Sequence, residues 1–276
     1  VSLATAAPAP EAPRPPQPPP APVAVPTEYT LGSPLPTEQA PLVFWPAASG
    51  RVSLQDARQA GAPRFHEAHH DDAGLFLEFR AGPWALLVRP GASHRDRPQG
   101  ALAMRELAEA FVVSGDLLPS PQNLLLQQGD QGTTQVWTLR PVLDPDPPGE
   151  ADLAPLARYL ARALALAARH GVVLTLDPRH LARSGPRWVA LSPPLPITSW
   201  GVSHWLRLSS WADSTLSPRL AGVLASELAH AIHRELSPQE QLRLDWPAVV
   251  SKSDSTHPAD SLFCRLVGEA SARNTI

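Results

Sequence analysis

Three groups of residues could do chemistry by type and spacing. The first lies in the stretch 164–195, LALAARHGVVLTLDPRHLARSGPRWVALSPPL, where Thr175, Asp177, His180 and Ser192 interrupt apolar segments. Asp177 and His180 are proton-transfer groups, whereas Thr175 and Ser192 are neutral at pH 7. Neither hydroxyl can hold a divalent cation as a carboxylate does or accept a proton at useful strength. The second group is Arg89, which ends the apolar run Trp84 to Val88, together with Glu106 further along the chain. A guanidinium fork grips a carboxylate bidentately, so this pair suits the joining of a strand to a helix. The third group is rich in metal-ligand types. His66, Glu67, His69, His70, Asp71 and Asp72 crowd a segment expected to be a solvated hairpin turn, and Glu227, His230 and His233 are expected to form a polar helix edge. On that helix the H-E-x-x-H spacing is absent, and no metal site is expected from either group. No G-x-S-x-G, Walker A or G-x-G-x-x-G motif occurs.

The elements that must position these groups follow from pattern. Residues 1–36 hold 12 of the 34 prolines and are expected to be a disordered, polyproline-type lead without a core, with a weak likeness to ligands of proline-binding domains. Short apolar or alternating segments then predict an antiparallel meander: Arg64 to His69, Leu75 to Arg80 and Trp84 to Arg89, separated by turn signals. Ala101 to Val113 reads as a helix carrying Glu106. Asn123 to Gln128 and Thr134 to Leu139 read as a hairpin, and Arg140 to Leu143 as a hinge. The Ala/Leu-rich segment Leu153 to Arg169 is expected to be a buried helix that runs out at Arg169-His170-Gly171. A short strand, the loop Asp177 to Leu181 and a strand from Arg187 to Leu191 follow, and Pro193 to Pro196 is expected to prevent regular pairing. Trp200, Trp205 and Trp211 are expected to anchor in the core. Helices are expected at Pro218 to Leu236 and Gln239 to Val250, followed by a loose tail over 251–276.

Helix, strand, loop and strand in this order resemble the catalytic core of the protein-kinase-like superfamily. There a helix end leads to H-x-D-x-x-x-x-N, and then to a strand ending in the metal-binding Asp of D-F-G. With Pro178 at the place of the proline common in that loop, the resemblance puts the catalytic base at Thr175, the metal-binding Asn at His180 and the D-F-G aspartate at Ser192. Arg89 and Glu106 match the Lys–Glu pair that positions nucleotide phosphates, with Arg in place of Lys. Asp71-Asp72-Ala73-Gly74 takes the place of the Gly-rich loop, with one glycine and two carboxylates that would repel a triphosphate. His180, five residues after Thr175, is similar to the lipopolysaccharide core heptose kinases, which carry His where most kinases carry Asn.

The resemblance implies an α+β, two-lobed protein-kinase-like fold. The Pro-rich segment 1–36 precedes an antiparallel β-rich N-lobe over 37–140, a helical C-lobe over 141–250 and a tail over 251–276. With Thr175 and Ser192 at the carboxylate positions, the expected function is a catalytically inactive kinase-like domain, a pseudokinase. It would bind or scaffold a protein partner, in an envelope or lipopolysaccharide assembly setting, with no cofactor. One alternative is an active sugar phosphotransferase that uses ATP and Mg²⁺, with Asp177 as a displaced base beside His180. Another is a non-kinase α+β interaction module. The net charge of −3 gives no field for nucleic acid, and no apolar run reaches the length of a membrane helix. The single cysteine, Cys264, rules out an intramolecular disulfide. A cytoplasmic location, with peripheral envelope association, is the expectation.

Overall fold

A computed structural model describes residues 43–44, 63–71, 74–120, 122–128, 133–146, 148–196, 203–244 and 261–274. The Pro-rich segment 1–36 and Asp72 lie outside the described residues. Strands β1 (Val43–Phe44), β2 (Arg64–Asp71), β3 (Gly74–Ala81), β4 (Trp84–His94), β5 (Asn123–Gln128) and β6 (Thr134–Pro141) form one antiparallel sheet in the order β1-β5-β6-β4-β3-β2. Helix α1 (Arg97–Ser114) is inserted between β4 and β5. Four strands, a helix and two strands thus follow one another, and the meander, helix and hairpin expected from the sequence are all present.

The period of two sorts the side chains of this sheet. Leu77, Phe79, Leu86, Val88, Leu125, Trp137 and Leu139 pack together on the outer face. The alternate positions, among them Phe76, Glu78, Arg80, Arg89, Thr138 and Arg140, fall on the inner face toward the rest of the molecule. Helix α1 starts at Asp96, whose carboxylate accepts from the Gln99 amide at 2.9 Å. Its buried residues Met104, Ala108 and Phe111 join Leu124 and Leu126 of β5 in the main core.

The second lobe is helical. Helix α2 (Leu153–His170) is buried along most of its length. It ends at Gly171, where φ is 62° and the amide closes on Ala167 O at 3.1 Å. Strand β7 (Val172–Val173), the hairpin β8 (Leu181–Ser184) and β9 (Arg187–Ala190), and β10 (Leu195–Pro196) follow. β10 pairs with β7, so the proline run does not prevent pairing as expected. The bridge is two residues long, and Pro196 sits at its end. Helices α3 (Ser203–Thr215), α4 (Pro218–Glu235), α5 (Pro238–Arg243) and α6 (Leu262–Asn274) complete the lobe. The expectation of a loose tail is corrected over 262–274. Phe263, Cys264 and Val267 of α6 are buried, because apolar residues four apart give the helix one core-facing stripe. Trp205 and Trp211 are buried in the main core as expected, while Trp200 lies outside the described residues. The molecule is an α+β fold with an antiparallel N-terminal lobe and a helical C-terminal lobe.

Candidate functional site

The inner face of the sheet and the loop Leu174–His180 meet in the cleft between the lobes. Asp177 starts this loop's one turn of 3-10 helix, Pro178–His180. Its carboxylate accepts from the Arg179 amide at 3.0 Å, from Arg179 Nε at 2.9 Å and from Arg179 Nη2 at 2.7 Å, and its side chain is closed to solvent. The Thr175 hydroxyl accepts from the Asp177 amide at 3.1 Å, and Tyr159 of α2 donates to Thr175 O at 3.1 Å. Both groups are therefore engaged in holding the loop. The Leu191 amide donates to His180 O at 2.9 Å, which ties the loop to the end of β9 beside the buried Ser192. Burial pushes the His180 pKa down, against the pull of the Asp177 charge.

The rings above this loop touch it. His69 of β2 stacks on Phe76 of β3 with centroids 4.8 Å apart. His180 meets His69 edge-on at 5.7 Å and Phe76 at 6.3 Å. Next to this stack is a buried ion network. Arg140, at the end of β6, is 1% exposed; its Nη2 lies 3.0 Å from Glu78 Oε2, and its Nε donates to Leu191 O at 3.1 Å. Arg80 reaches Glu78 Oε1 at 2.8 Å and the exposed Asp144 at 3.0 Å. Burial alone would raise the Glu78 carboxyl. His69 and the guanidinium charges of Arg140 and Arg80 overcome it and hold the pKa at about 2.

Arg89 and Glu106 do not pair as expected. Arg89 donates through both terminal nitrogens to Asp71, at 2.9 Å for the Nη1–Oδ1 contact, and its guanidinium lies 5.5 Å from the Phe76 ring centre. The reason lies in the backbone. The pairing of β4 with β6 shifts register between Val88 and Ser93, so Arg89 stands where the ladder breaks, and β3 brings Asp71 of the neighbouring hairpin within its reach. Glu106 is exposed on α1, on the wall of a cavity of about 190 Å³ that also contacts Phe76, Arg89, Leu107, Val136 and Pro193. Asp71 and His69 were expected in a solvated turn; they sit on the inner face of a strand that runs on to Asp71. From the other lobe, Arg207 of α3 donates to His70 O at 2.6 Å and to Asp71 O at 2.8 Å.

The structure thus brings Thr175, Asp177, His180 and Ser192 to one edge of the cleft, with Arg89 over the Phe76 ring. Sequence reasoning missed Phe76, Glu78, Arg140 and Arg207. One signal was present: Glu78 and Arg80 alternate with Leu77 and Phe79, which marks a charged inner face on an otherwise apolar strand. Among the described residues no group of His, Cys, Asp or Glu is placed to hold a metal ion, and no helix is long and apolar enough to cross a membrane.

No family model matches the chain, and no curated protein matches it. Among solved structures the chain is similar to that of WbdD, with 12% identity over 69% of this chain and a TM-score of 0.34. The match spans 52% of that chain, about half its length.

Proposed function

We propose that this chain is a kinase-like domain that has given up phosphoryl transfer and works by binding a protein partner. The contact of His69 and Phe76 with His180 carries this reading. A nucleotide held between two protein layers needs van der Waals contact of about 3.5–4 Å on each side, so about 7–8 Å between the layers. His180 lies 5.7 Å from His69 and 6.3 Å from Phe76, centre to centre, which leaves no layer for a base or phosphate between these rings. The chemistry agrees. Thr175 and Ser192 offer no carboxylate for Mg²⁺ or for a substrate proton, and Asp177 spends its oxygens on Arg179. Arg89, which the resemblance matches to the phosphate-positioning Lys, is paired with Asp71. No cofactor is part of this reading. The resemblance at His180 directs the first partner search to enzymes of envelope assembly.

The test is a thermal-shift titration of the full chain with millimolar ATP, alone and with Mg²⁺ or Mn²⁺. A ligand that binds only the native state raises the melting temperature. The expected result is no shift under any of these conditions. A metal-dependent rise would overturn the proposal in favour of a phosphotransferase.

A further inference from the structure

The large lobe carries a second concavity, away from the cleft. It is a groove of about 520 Å³, lined by Arg158 of α2 and by Glu227, His230, Ala231, His233 and Arg234 of α4. Residues 227, 230, 231 and 234 fall along one helix face by their spacing, and the helices pack through Leu156, Leu160, Leu224 and Leu228 beneath it. The groove gathers Glu227, His230 and His233, which the cleft reading leaves without a role.

Other arginines of α2 and α4 are committed: Arg162 to Asp116, Arg169 to Glu240 and Arg219 to Glu150. Arg158 has no acidic partner among the described residues, and Arg234 reaches only Glu235, its neighbour in sequence, at 3.1 Å. Two guanidinium forks and two imidazoles at one concavity suit an anion with several oxygens, above all a phosphate. Glu227 narrows the choice. A carboxylate in the groove disfavours a bare or polymeric phosphate, but it accepts hydrogen bonds from hydroxyl groups, as neutral imidazoles also can. The groove is open, with its charged and imidazole side chains exposed, and its volume leaves room for more than one phosphate ion. We infer that the groove binds a phosphorylated polyol of the sugar-phosphate class, with the phosphate on Arg158 and Arg234 and hydroxyls on Glu227 and the imidazoles. This inference stands apart from the reading of the cleft.

The test is calorimetric titration of the full chain with glucose 6-phosphate, and in parallel with inorganic phosphate and with glucose. Glucose 6-phosphate should bind more tightly than either fragment. Arg158→Ala should weaken it about tenfold or more, the loss of one charge-assisted contact. Glu227→Gln should weaken glucose 6-phosphate but not inorganic phosphate. Both residues are exposed, so the variants should keep the melting temperature of the parent. No binding of glucose 6-phosphate at millimolar concentration would overturn the inference. So would equal affinity for inorganic phosphate, or an unchanged affinity in Arg158→Ala.

Discussion

Glu78 is a carboxylate on the inner face of a strand, 3% exposed, between two guanidinium groups. A buried ion pair contributes little net stability compared with an apolar pair of the same shape, but removing one member strands the other. Glu78→Gln leaves Arg140 with its charge uncompensated, and should cost about 3–5 kcal/mol in urea unfolding at pH 7. The same residue sets an acid limit. Its folded pKa of about 2 lies below its ordinary 4.5, so the unfolded chain binds the extra proton between these values. The stabilisation is complete above about pH 4.5 and is lost as pH falls toward 2, by about 3 kcal/mol in all. Unfolding free energies at several pH values across that window should show the slope in the parent and lose it in Glu78→Gln. An unchanged slope in the variant would assign the acid sensitivity to other carboxylates.

At the scale of elements, α1 is held close to the sheet by the absence of a side chain at Gly100. A Cβ there would fall on Thr134 Oγ1 and 2.8 Å from Leu126 Cδ1. Thr134 is itself fixed, since its hydroxyl donates to Asp96 O at 2.9 Å at the start of the helix. In an open helix Gly→Ala stabilises by about 0.5–1 kcal/mol. Here overpacking should reverse the sign, and Gly100→Ala should destabilise by about 1–3 kcal/mol in urea unfolding. A stabilised variant would mean that the helix lifts from the sheet at little cost. Most elements were legible from local pattern: the three strands of the meander, the hairpin Asn123 to Leu139, and the helices at 101–113, 153–169 and 218–236 all occur, with shifted ends. Two helices were not read. Trp205, Leu208, Trp211 and Ala212 have helical spacing, but large aromatics among Ser and Arg read as isolated anchors rather than a stripe. Phe263, Val267 and Ala270 give α6 a weak signal after a polar stretch. The partners in the cleft were out of reach for a different reason. The period of two tells which face Glu78 and Arg89 share, but which carboxylate Arg89 meets depends on the register of β4 against its neighbours.

For the whole molecule, the question is what keeps the two lobes in register. Arg140 reaches from the sheet to Leu191 O, and Arg207 reaches from α3 to the carbonyls of His70 and Asp71. Each is a guanidinium whose contact with the other lobe ends on backbone oxygen, so each fixes the path of the chain across the cleft. Arg140 is sealed in the core of the cleft, while Arg207 is half-exposed and holds the end of β2 from outside. Removing Arg207 therefore should loosen the lobes without collapsing either core. Each charge-assisted bond contributes about 1.5–3 kcal/mol, so Arg207→Ala should speed amide exchange about tenfold to a hundredfold in a peptide over 64–81. Helix α4, whose bonds do not pass through the latch, should exchange at the parent rate. Uniform acceleration would indicate global destabilisation, and no acceleration would show that other contacts hold β2. The variant also separates two ways in which the cleft could refuse nucleotide. If His69, Phe76 and His180 fill it and the carboxylates are missing, Arg207→Ala should remain unresponsive to ATP and Mg²⁺ although its lobes part more often. A thermal shift in the variant alone would mean that the latch, and not the filling, keeps nucleotide out.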